Sequence, residues 1–155
     1  MDKIIIDGGK PLHGDVVISG SKNAALPCLF ATLLTDEECV IDRVPDLAYI
    51  DTTCALLTFL GKKVVRDRNR VTIKSGGRIH TQAPYELVRK MRASVLVLGP
   101  LIARLGKASA SLPGGCAIGV RPVNIHLKGF EQLGAKTSLS EGFVKLITKG
   151  LKGNK

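Results

Sequence analysis

Residues 111–122 read Ser-Leu-Pro-Gly-Gly-Cys-Ala-Ile-Gly-Val-Arg-Pro, and the chemistry in that stretch belongs to Cys116. A thiol chosen for packing sits among apolar neighbours. This one stands between Gly114, Gly115 and Gly119, which signal a loop whose backbone swings or approaches a ligand closely. Loops run over surfaces, so the thiol is expected to be accessible. Pro122 suits the first position of a helix, which makes Arg121 a flanking cation and aims free backbone amides at the loop. Cations and helix-start amides favour thiolate over thiol, so the features that bind an anion also tune this cysteine. His126 follows shortly after, but a lone histidine is more often structural, and no Ser-His-Asp or Cys-His-Asn set can be assembled from the chain.

Two further clusters suit anions. In Ser-Gly-Ser-Lys-Asn, residues 19–23, Gly20 permits a tight turn and Lys22 and Asn23 fall at a helix start, where outward-facing amides and the positive end of the helix dipole welcome negative charge. An ordinary helix cap explains Asn23 equally well. In Arg-Lys-Met-Arg-Ala-Ser, residues 89–94, Arg92 lies on a helix that repeats the first anion-facing one, although a solvated arginine is the commoner explanation.

The other cysteines, Cys28, Cys39 and Cys54, lie in or beside apolar stretches and are expected to be packed thiols. The four show no C-x-x-C pair and no histidines at zinc-ligand spacing, so neither a metal site nor a disulfide framework is expected. The net charge of +10 is lopsided: residues 1–86 hold 11 basic and 11 acidic residues, and residues 87–155 hold 12 basic residues against Glu131 and Glu141 alone. A basic surface points to an anionic partner. With 4% aromatics and no tryptophan there are few platforms on which bases could stack, which argues against nucleic acid and for phosphorylated small molecules. The longest apolar stretch, from Ala93, is broken by Gly99-Pro100 and is too short to span a membrane. The N-terminus does not read as a secretory signal, which leaves the cytoplasm as the expected compartment.

The elements that must position these residues come in two copies. Gly134 lies 73 residues after Gly61 in a similar context, and Pro100 lies 73 after Pro27. Strands are predicted at residues 3–7 and 15–19, and a helix over 21–34 with Ser21 or Asn23 as cap and Pro27 near its first turn. A strand at 39–42 follows, then a helix over 49–60 stopped by Gly61, and a hairpin turning at Asp67-Arg68-Asn69. The second copy predicts a helix from Tyr85 to Leu105, a strand at 108–112, the Cys116 loop, a helix from Pro122 to Gly134 and a hairpin through Ser140 to Gly142. The unit is βαβαββ. The expected division is N-terminal strands 1–20, a first unit 21–83, a second 84–150 and a tail 151–155.

The stretches around Ser19–Pro27, Pro84–Gly106 and Ser111–Ala135, with the opening Asp2–Gly20, resemble the UDP-N-acetylglucosamine enolpyruvyl transferases, which make the first committed precursor of bacterial peptidoglycan. The Gly-Gly-Cys loop followed by Arg-Pro-Val carries the likeness most specifically; the related transferase of the shikimate pathway shares the unit but not this loop. The resemblance implies an inside-out α/β barrel domain built of βαβαββ units, of which this chain holds about two. It implies that the sugar 3-hydroxyl adds to C2 of phosphoenolpyruvate while C3 is protonated, giving a ketal that loses phosphate.

Residue by residue, Lys22 and Asn23 match the pair that contacts phosphoenolpyruvate, and Cys116 matches the proton donor that forms a phospholactoyl adduct and is alkylated by fosfomycin. Arg92 and the segment Arg121, Pro122, Val123, Asn124 and Ile125 match UDP-sugar contacts. Members usually carry Asp where this chain has Asn124, whose amide hydrogen-bonds a uracil edge without adding charge. The resemblance implies no cofactor, no metal, phosphoenolpyruvate and UDP-N-acetylglucosamine as partners, and a general base and further arginines from a C-terminal portion outside these residues. A noncatalytic anion- or RNA-binding module keeping the fold is the alternative, against which the accessible thiol argues.

Overall fold

The computed structural model of the chain describes residues 3–89, 91–111 and 123–154, with backbone alone at Arg92. The first unit begins with helix α1, Lys22–Ala31, extended by a 3-10 turn, Thr32–Leu34. Strand β1, Cys39–Ile41, leads to α2, Ala48–Phe59, and to the hairpin β2, Lys62–Asp67, and β3, Arg70–Ser75. These strands form an antiparallel sheet in the order β1-β3-β2, with Val40 opposite Thr72 and Val65 opposite Thr72 from the other side. Strand β4, Gln82–Ala83, leads into the second unit, which comprises α3, Tyr85–Val88; a 3-10 turn, Arg92–Val97; α4, Leu98–Leu105; β5, Lys107–Ser111; α5, Asn124–Gln132; and the hairpin β6, Lys136–Ser140, and β7, Phe143–Ile147. Its sheet runs β4-β5-β7-β6, with β4 and β5 parallel and the other pairs antiparallel.

The 73-residue offset survives in three dimensions. It carries β2 onto β6 and β3 onto β7, and it carries Gly61 (φ 106°) onto Gly134 (φ 88°), each ending a helix in the left-handed conformation glycine supplies. The copies differ between first strand and second helix: residues 42–47 separate β1 from α2, six in all, and residues 112–123 separate β5 from α5, twelve in all. The longer connection is the one that contains Cys116.

One core joins the two units. Leu29, Phe30 and Leu33 from α1 and its extension, Ile50, Leu56 and Leu57 from α2, and Leu98, Leu101 and Ile102 from α4 are all essentially buried. The sheets close over them with Val71 and Ile73 of β3 and with Val144 and Leu146 of β7, alternating with exposed residues as a one-sided sheet requires. Helices in the middle and sheets outside give the inside-out layering. A polar clasp reinforces the joint. Arg104 of α4 donates to the Leu33 carbonyl (2.8 Å) and the Thr35 carbonyl (3.2 Å) and pairs with Asp36, while the buried Lys62 of β2 donates to the same Thr35 carbonyl.

Several expectations are corrected. Residues 3–7 and 15–19 form no strand; Ile4, Ile6, Val16 and Ile18 are 73–87% exposed, because a strand needs a neighbour to share its backbone hydrogen bonds and these stretches pair with none among the described residues. The helix over 85–105 is broken into α3, the 3-10 turn and α4; Pro100 cannot donate to the preceding turn, so the α-helix restarts just before it. Pro27 sits in the second turn of α1 rather than the first, which leaves the Asn23 carbonyl without its usual amide partner. Helix α5 opens at Asn124 with Val123 as N-cap, two residues later than Pro122. Cys28 is exposed, because the inner face of α1 is taken by Ala25, Leu26, Leu29 and Phe30 and residue 28 points away from it. Cys39 and Cys54 are half-buried.

Candidate functional site

The best-defined candidate lies where α1 and α2 begin side by side. Gly20 prepares it. A Cβ built there would overlap the Arg43 carbonyl oxygen, so only glycine lets the chain pass this close before turning into the helix. Ser21 is the N-cap by backbone conformation (φ −82°, ψ 129°), but its hydroxyl makes no capping bond, and the first intrahelical bond is donated by Ala25 to the Ser21 carbonyl at 2.9 Å. The amides of Lys22, Asn23 and Ala24 therefore lack intrahelical acceptors, and no acidic residue stands in the first turn to satisfy the dipole.

Lys22 supplies the full charge. Its ammonium lies 4.6 Å from the centroid of the Tyr49 ring, near the start of α2. A cation over a ring face is held without being neutralised, at about 0.5–1 kcal/mol for exposed pairs. The carboxylates nearest in sequence to Tyr49 are occupied elsewhere: Asp46 (2.8 Å) and Asp51 both pair with Arg66. Lys22 is half-buried and Asn23 exposed. The arrangement suits an incoming phosphate, which meets free amides, an oriented ammonium and an exposed amide side chain on one helix turn.

The other sequence candidates stand as follows. Arg92 opens the 3-10 turn, an element that packs against α1. Cys116, Arg121 and Pro122 lie outside the described residues. Val123 is buried at 7%, and Asn124 and Ile125 are exposed at the start of α5, with Ile125 at 76%. The sequence carries no sign of Tyr49 beyond its place beside a helix start, none of Arg43, which falls between the predicted strand 39–42 and helix 49–60, and of Arg68 only its place in the hairpin turn. No group of three or more metal-ligating side chains occurs among the described residues, and no helix there is long and apolar enough to cross a membrane.

A family model described as EPSP synthase (3-phosphoshikimate 1-carboxyvinyltransferase) matches residues 6–155. The UDP-N-acetylglucosamine 1-carboxyvinyltransferase of Endomicrobium trichonymphae is 58% identical over 154 residues, covering 99% of this chain and 37% of that protein. The protein of the same name from Shewanella amazonensis is 56% identical over 154 residues with the same coverage. Among solved structures, the enolpyruvyl transferase NikO from Streptomyces tendae matches 94% of this chain and 32% of its own, with a TM-score of 0.77 at 23% identity. EPSP synthase from Acinetobacter baumannii matches 84% of this chain and 32% of its own, with a TM-score of 0.53 at 13% identity. The chain spans 37% of the length of those two curated relatives.

Proposed function

The chain belongs to the EPSP synthase (3-phosphoshikimate 1-carboxyvinyltransferase) family and has the α/β fold of the enolpyruvyl transferases, and from that premise we propose that it works as part of a cytoplasmic bacterial enzyme moving the enolpyruvyl group from phosphoenolpyruvate to the 3-hydroxyl of UDP-N-acetylglucosamine. The observation that carries this choice of acceptor is the identity of 58% and 56%, over 99% of the chain, to two proteins named for that reaction.

Each step makes a demand that the proposed residues can meet. Phosphoenolpyruvate brings a phosphate and a carboxylate, and Lys22 with Asn23 and the free amides of α1 hold the phosphate by fixed, preorganised charge. Addition of the sugar oxygen at C2 breaks the C2=C3 π bond and leaves C3 in need of a proton, which the Cys116 thiol donates. Loss of a proton from the C3 methyl with departure of phosphate from C2 then gives the enolpyruvyl ether, and addition of the thiol itself across the double bond, sulfur to C2 and proton to C3, gives the adduct. Arg92, Arg121, Pro122, Val123, Asn124 and Ile125 hold the UDP-sugar, with the Asn124 amide reading the uracil edge. No cofactor takes part. The base that removes the sugar hydroxyl proton, and further arginines, come from outside these 155 residues, so residues 1–20, the units 21–83 and 84–150, and the tail 151–155 form one wall of the catalytic cleft and do not turn over alone.

Fosfomycin labelling followed by peptide mapping tests the role of Cys116. The exposed Cys28 is the built-in competitor. Labelling of Cys116 first is the expected outcome. Labelling led by Cys28, Cys39 or Cys54 removes Cys116 from the mechanism.

A further inference from the structure

A cavity of about 820 Å³ opens between residues 17–20 and the first unit, and its lining includes none of Lys22, Asn23 or Tyr49. Three arginines face it, Arg43, Arg66 and Arg68, against one carboxylate, Asp46. Arg66 is already engaged with Asp46 and Asp51. Arg43 and Arg68 are exposed and form no ion pair among the described residues; the neighbouring Asp42 is taken by Arg70. Two guanidiniums are therefore left for a ligand.

Their backbones set them apart further. Arg43 (φ 58°) and Arg68 (φ 50°) both hold the left-handed conformation, which costs a residue with a Cβ and which glycine or asparagine adopts more readily. In the hairpin, the asparagine stands one position later, at Asn69. Glu141, 73 residues after Arg68, shares its conformation (φ 54°), so the left-handed turn belongs to the repeat while the choice of arginine belongs to this site.

The two turns are also fixed to one another. The Val44 amide donates to the Asn69 carbonyl at 2.8 Å, and Arg66 of the hairpin donates to the Pro45 carbonyl at 3.4 Å. The fixed backbone sets both arginines on one rim, and a guanidinium matches phosphate oxygens with paired N–H groups. Val17 and Ile18, both largely exposed, border the other side of the cavity. We infer that this cavity is a second anion site, in which Arg43 and Arg68 clamp the phosphate of a phosphorylated small molecule whose apolar part lies on Val17 and Ile18. The inference does not rest on the proposed transferase activity.

Calorimetric titration of the 155-residue chain with inorganic pyrophosphate at low salt tests it. The double variant Arg43→Asn, Arg68→Gly is expected to lose at least about tenfold in affinity, the effect of removing roughly 1.4 kcal/mol of interaction, while its thermal midpoint stays level or rises as backbone strain is relieved. Because the α1 site itself suits phosphate, the arginine and lysine-pair variants are compared in the Lys22→Ala background, which is expected to keep the affinity of the arginine cavity. Lys145→Asn with Lys149→Asn, which removes the same charge from another part of the fold, is expected to change affinity less than about twofold. Unchanged affinity in the arginine variant overturns the site. So does an equal loss in the lysine-pair control, which would mark a general charge effect, or loss of all binding in Lys22→Ala, which would leave the α1 site as the sole locus.

Discussion

Replacing Arg104 with alanine cuts the clasp that ties the second unit to the first, and the structure divides the loss into two parts. One part is the pair of hydrogen bonds to the Leu33 and Thr35 carbonyls at 2.8 and 3.2 Å, made by a guanidinium whose side chain is 20% exposed. Each such bond contributes about 1–1.5 kcal/mol net, so their loss is worth about 2–3 kcal/mol. The other part is the ion pair with Asp36, whose side chain is 62% exposed and therefore screened by solvent. Asp36→Asn isolates that part. In urea unfolding followed by circular dichroism, Arg104→Ala should lower stability by the full about 2–3 kcal/mol, with Asp36→Asn costing only a small fraction of it. The pH dependence separates the parts again. The hydrogen bond from Arg104, then that from Ser75, holds the Asp36 carboxyl below its ordinary 3.8. A carboxyl depressed in the folded state contributes above its unfolded value and loses that contribution as pH falls through its folded value. The gap between wild type and Asp36→Asn should therefore close in acid, while most of the gap to Arg104→Ala persists, because carbonyl bonds do not titrate. An Asp36→Asn loss as large as that of Arg104→Ala would refute the division, as would an Arg104→Ala loss under about 1 kcal/mol.

Two further outcomes follow from single residues. Lys62 is buried, and burial, followed by the Arg104 charge, pushes its ammonium below the ordinary lysine range. Between that lowered value and 10.5 the unfolded chain binds the extra proton, so wild-type stability should rise with pH there; Lys62→Met should be no less stable at neutral pH by more than about 1 kcal/mol and should lack that rise in chemical denaturation. Asn124→Asp places a carboxylate in the first turn of α5, which has no acidic residue there, and should raise stability by about 0.3–1 kcal/mol at low ionic strength while leaving UDP-sugar affinity level or improved by calorimetry.

What the sequence made legible was local or repeated. The helix ended by Gly61, the hairpin turning at Arg68-Asn69 and the one turning at Glu141-Gly142 depend on residues that shape their own backbone, and the 73-residue offset exposed the second unit from the first. Strands at 3–7 and 15–19 were not secured by their apolar runs, because pairing is decided by a neighbour. The long helix that hydrophobic spacing favours ends instead at Val88, and Pro100 accounts only for the restart of the α-helix at Leu98. At the candidate site, Lys22 and Asn23 were visible as a helix start, whereas Tyr49 reaches Lys22 only through the packing of α1 on α2. Arg43 and Arg68 were harder still, since their shared cavity exists only because Val44 and Asn69 join two turns that are distant in sequence.

The most direct test of the proposed reaction is phosphate release from phosphoenolpyruvate by the native protein purified from its host, offered UDP-N-acetylglucosamine or shikimate 3-phosphate as acceptor. Release with the UDP-sugar and none with the shikimate is expected, with the 155-residue chain alone slower by about a hundredfold or more, the loss that follows from removing even one positioned group. Release with shikimate 3-phosphate, or none with UDP-N-acetylglucosamine, would contradict the assignment of acceptor. Turnover by the 155-residue chain within about tenfold of the native protein would contradict the placement of the base outside it.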